Sequence, residues 1–203
     1  MGRWRTALLA GTLAVGGQPL VAADFADPTW PCIQRKVEGL SVGLMWPHPI
    51  APVTLDAATE DAVDESVARL TLRRIEVSEV ASDVAAFVQA HGSDEALLGH
   101  VFEAAFDRLA GTRTRILQGI EDYSLSQIAL SERIGAAREE MDRIMATDAP
   151  DFDRVDTLEK QVDWDERIYD DRRRSLTYVC ETPVLLEKRL YAIAQLLAAE
   201  VAG

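Results

Sequence analysis

Cysteine and histidine are scarce in this chain, and their scarcity removes whole classes of chemistry. Among 203 residues stand two cysteines, Cys32 and Cys180, and three histidines, His48, His91 and His100. A dimetal site in a helical bundle takes a Glu-x-x-His pair from each of two helices, which three histidines so placed cannot build. Attachment of c-type haem needs C-x-x-C-H, and no such run exists. Cys32 has no second cysteine nearby, so a dithiol redox centre is excluded as well. No Walker loop or dinucleotide fingerprint occurs. No cofactor or metal is expected, and no catalytic residues are assigned.

Proline and glycine thin out after the first quarter of the chain, where Pro150 and Pro183 are the last prolines. That balance favours helices over sheets. Long apolar runs are missing too. Thr6 to Gly16 is apolar or small but too short to cross a bilayer. Arg3 and Arg5 precede it and Val21-Ala22-Ala23 follows, the layout of a secretory signal over residues 1–23 that leaves Asp24 first. An uncleaved anchor is the rival reading. No integral membrane segment is expected after cleavage, and the periplasm or the exterior is the expected destination.

Positive charge is also in short supply. The formal net charge is −13, and losing Arg3 and Arg5 with the signal leaves 19 basic against 34 acidic residues, or −15. Such a chain is repelled by nucleic acid and by anionic headgroups. Its charged partners would be basic proteins or cations, although acidity that only keeps a helical protein soluble is the simpler reading.

What is abundant is heptad spacing. Residues 24–55, broken by five prolines, read as a proline-rich N-terminal strap, and residues 56–203 as a helical domain. The first helix is expected over 56–90, with Asp56 as its cap and His91-Gly92 as its stop. A second runs from Ser93 to Thr147. Phe102, Leu109, Ile116, Tyr123, Leu130, Ala137 and Ile144 fall seven apart in it, the mark of a coiled coil. After a turn around Pro150 the third helix carries Val155, Val162, Tyr169 and Leu176 in step, with Leu158 and Val179 in the neighbouring seam. Thr182-Pro183 should kink it rather than break it.

The fold class is therefore all-α: a long antiparallel hairpin with a shorter third helix on its base. The hairpin extends beyond that base as a two-helix arm over roughly 121–177. A compact four-helix bundle with both long helices bent is the alternative. Reflecting the third helix about the turn near residue 149 sets Cys180 level with residue 118, close to where the strap arrives. Cys32 and Cys180 are expected to pair, tying the strap down.

Three further patterns bear on function. In the same reflected register Gln127 faces Arg172, a buried polar layer that would fix register. The acids from Asp148 to Glu159 resemble a calcium loop but lack its glycine and ligand order, and suit a helix start better. His91, His100 and Glu95 at a turn could hold zinc, though solvated turn histidines are the simpler reading. The arm carries Leu125, Ile128, Trp164 and Ile168 outside its seam, a candidate interaction surface. The expected function is non-enzymatic: protein binding or self-association through the arm. A helical bundle that binds a small ligand or metal is the rival.

Overall fold

Aspartates start three of the four α-helices. Asp56 accepts a hydrogen bond from the Thr59 amide, Asp94 from those of Ala96 and Leu97, and Asp151 from that of Arg154. Each satisfies amides that the first turn leaves unpaired. The computed structural model describes residues 27–201, so the signal expected over residues 1–23 lies outside the described residues. In chain order come α1 (Ala57–Thr71), α2 (Ala81–His91), α3 (Glu95–Met145) and α4 (Phe152–Ala198), with 3-10 turns at Val42–Leu44 and Val77–Val80. No strand occurs among the described residues. At about 1.5 Å per residue, the 51-residue α3 is about 76 Å long.

The helix expected over residues 56–90 is two helices. It ends at Thr71 and resumes at Ala81, with no proline or glycine between. The donor that supports the interruption comes from α4. Arg189 gives its Nε–H to Leu70 O and its Nη1–H to Ile75 O, both at 2.7 Å. With those carbonyls satisfied, each short helix turns its own apolar stripe inward: Val63, Val67 and Leu70 from α1, then Val84 and Phe87 from α2. Gly92 ends α2 at φ 97°, a conformation that costs glycine little.

Two apolar clusters divide the hairpin along its length. The larger joins α1, α2 and Trp46 to the start of α3 and the end of α4, from Leu97–Leu109 and Leu186–Leu197. The smaller holds Leu130, Ile134, Ala137, Leu158 and Val162, all from α3 and α4. The first cluster is the base and the second the core of a two-helix arm. α4 continues through Pro183, which is buried. Val179, expected in the inner seam, is instead 40% exposed, because Cys180 takes the inward position beside it.

Residues 27–55 run antiparallel to α3. Pro28 O accepts from the Ser124 hydroxyl, Lys36 pairs with Glu121, and Val37 O and Glu38 O accept from Arg113. Farther along, Trp46 stacks on Phe102 at 5.2 Å between ring centroids, and His48 lies 3.4 Å from Glu95. Gly99 lies beneath that crossing, where an added Cβ would meet the Trp46 indole nitrogen at 3.5 Å, an ordinary contact.

Candidate functional site

The arm exposes side chains that its own packing does not use. α3 and α4 meet there through their inner faces, and residues 28–36 lie along α3 at the arm's root. Trp164 is 62% exposed and Leu125 51% exposed. Ile168 is half-buried and packs against the arm's own core, beside Tyr169. Ile128 is also half-buried and lines an open groove with Pro31, Tyr169, Arg173 and Leu176. Of the four residues named from sequence, two are exposed and two half-buried. Trp164 and Ile168, four apart, share one side of α4, and Leu125 and Ile128, three apart, share one side of α3.

Gln127 and Arg172 do not pair. Gln127 is buried and donates to Tyr169 O at 3.1 Å, leaving its own oxygen without a partner. Arg172 turns instead to Tyr123, its guanidinium 6.0 Å from the ring centroid. Burial of the Tyr123 phenol pushes its pKa up, and the Arg172 charge works against that. The ionic layer across the arm is a different pair. Asp165 is 3% exposed and accepts from Arg133 Nε at 2.7 Å and Nη2 at 2.5 Å, a two-point contact. The Arg133 hydrogen bonds hold the Asp165 carboxyl below its usual range, against the opposing effect of burial. Nearer the tip Arg138 pairs with Glu166, and Arg154 with Glu140.

At the root of the arm Cys32 and Cys180 form a disulfide, with their Cα atoms 5.5 Å apart. One step toward the base, buried Arg113 donates to Glu187 at 2.8 Å and to Val37 O at 2.6 Å. Sequence patterning marks Arg113 only as a polar residue four after Leu109. Its actual work is to satisfy carbonyls of a segment that has no ladder of its own.

Gly39-Leu40-Ser41-Val42-Gly43 reads G-x-S-x-G, the spacing of a hydrolase nucleophile elbow. That device needs a strained strand-to-helix turn. Ser41 here is exposed, has ordinary extended backbone (φ −115°, ψ 124°) and precedes a three-residue 3-10 turn. The setting of an elbow is absent at this serine. The grooves along the molecule are open and shallow, about 280–400 Å³. Among the described residues no three His, Cys, Asp or Glu side chains are grouped to hold a metal, and no helix is long and apolar enough to cross a membrane. Asp151, one of the acids that resemble a calcium loop, is the cap of α4.

No protein-family model matches the chain, and no curated protein or solved structure does.

Proposed function

We propose that this is a non-enzymatic, exported interaction protein that works in the periplasm and uses the two-helix arm as its binding element. Accessory subunit, assembly factor and holding chaperone are the roles that suit such an arm. One observation carries the reading: Trp164 stands 62% exposed on a helix whose inner face is already packed. An aromatic side chain left in water is a large unspent hydrophobic contact, and tryptophan is enriched at binding hot spots. The Cys32–Cys180 bridge supports export, since such bonds persist in oxidising compartments. The acid excess points away from nucleic acid.

Replacing Trp164 by alanine tests this directly. Helicity and melting temperature should stay nearly unchanged, because the indole supports no core. Association with a partner chain, or with itself, should weaken by at least about 1 kcal/mol. A loss of about 3 kcal/mol in folding stability would instead place Trp164 in a core and remove the reading's main support.

A further inference from the structure

The interruption between α1 and α2 does more than redirect the chain, for it builds one wall of a groove. Residues 73–78 face α4 there, and Arg73, Glu76, Ser78, Leu185, Lys188 and Arg189 line a space of about 400 Å³. Nothing local in the sequence demands the break, which has neither proline nor glycine. A 3-10 stretch set between helices in this way often marks a functional feature. Arg189 holds it in place through its bonds to Leu70 O and Ile75 O. The remaining guanidinium nitrogen, Nη2, is buried and has no partner. Buried donors are rarely left so.

Charge in the groove is opposite to that of the chain. Arg73, Lys188 and Arg189 set three positive charges against the one carboxylate of Glu76, a local excess of two in a chain of −13. None of the three cations joins an ion pair among the described residues. Glu76 acts on the Arg189 charge without pairing with it. Just outside the lining, Arg74 and Glu79 offset each other in the same loop. Glu181 stands seven residues before Lys188, about 10 Å along α4. That is one screening length in ordinary salt, so its effect on the groove is weak.

We infer that this groove binds a phosphate group, carried by a monoester whose organic part lies against Leu185 and Ala192. A phosphate monoester at neutral pH bears close to two negative charges and three strong acceptor oxygens. The charges match the local excess. The oxygens can take donors from Arg189 Nη2, Arg73, Lys188 and the exposed Ser78 hydroxyl together. A carboxylate, with one charge and two oxygens, leaves such a site half used. Guanidinium donors are planar and suit this anion, and that of Arg189 is already fixed in direction by two carbonyls. The groove is within the size range of small-molecule sites, and its apolar lining has room for the carbon part of the ester. It lies at the base, so the inference is independent of any binding by the arm.

Equilibrium dialysis of the disulfide-intact protein against phenyl phosphate at neutral pH tests this. A dissociation constant of about 0.1–1 mM is expected, with benzoate at least about tenfold weaker. Arg73→Glu and Lys188→Glu should each weaken phenyl phosphate at least about tenfold, and Glu76→Gln should strengthen it severalfold. Arg143→Glu, the same charge change near the arm's tip, should have no effect. All four positions are exposed, so these variants keep the fold, which circular dichroism would verify. Flotation with phosphatidylcholine vesicles, with and without phosphatidic acid, separates the two sources of the phosphate. Capture by the phosphatidic acid vesicles that Lys188→Glu abolishes assigns it to a lipid headgroup; dialysis binding without capture assigns it to a soluble ester. No binding at about 10 mM phenyl phosphate, with no capture, overturns the inference. So does an affinity equal to that for benzoate, or one that Arg73→Glu and Lys188→Glu leave unchanged.

Discussion

Asp165 shows how a single side chain can hold two helices together at a place where no third helix helps. Its carboxylate is buried and takes two hydrogen bonds from Arg133, whose own side chain is half in water. The pair is therefore partly screened, and Asp165→Asn should cost only about 1 kcal/mol at neutral pH. The pH dependence follows from the lowered pKa. A carboxyl titrating lower in the folded than in the unfolded chain adds stability that is fully present above its unfolded value, about 3.9. That stability is lost as pH falls through the folded value. Thermal melts of both proteins should differ most at pH 6–7 and converge below about pH 4. A difference that held constant down to pH 3 would mean the carboxylate charge is not what joins the helices.

The long helices were legible because their signals are local: an aspartate cap, a sustained heptad, a turn rich in Asp and Pro. The interruption between α1 and α2 was not. Its donor, Arg189, lies 119 residues beyond Leu70 in sequence, so no window around Leu72 contains the cause. Reflection about a turn gives the level of a residue but not its direction. For that reason it put Cys180 near the arriving segment yet wrongly set Arg172 against Gln127. Gly99 shows how a helix serves a neighbour. It is buried in α3 beneath Trp46 and Ile50, and an added Cβ would meet them at 3.5–3.9 Å, ordinary contact. Gly99→Ala should thus raise stability by about 0.5–1 kcal/mol through helix propensity. Gly99→Leu should displace the indole and destabilise by about 1–3 kcal/mol. Chemical denaturation of both variants decides the matter, since equal losses in the two would mean that even a methyl does not fit.

For the molecule as one body, the question is what the single covalent crosslink adds to a hairpin that already has two cores. The bridge spans 148 residues of sequence, and loop-closure entropy alone would give about 5 kcal/mol for a loop of that length. Residual structure in the reduced, unfolded chain lowers that figure, so the range of about 2–5 kcal/mol is expected. The native contacts argue that the loss is confined. Neither apolar cluster contains Cys32 or Cys180, and the N-terminal segment keeps separate anchors at Arg113 and at Trp46. Reduction should therefore lower the melting temperature by roughly 5–15 °C with helicity nearly intact in the folded state. Faster amide exchange should be concentrated around residues 28–38, between the lost bridge and Arg113, and should spare the arm. Exchange that quickened equally through Leu130–Val162 would show that the bridge holds the arm together and not just the segment laid along its root. Two free thiols in the unreduced, denatured protein would refute the crosslink itself.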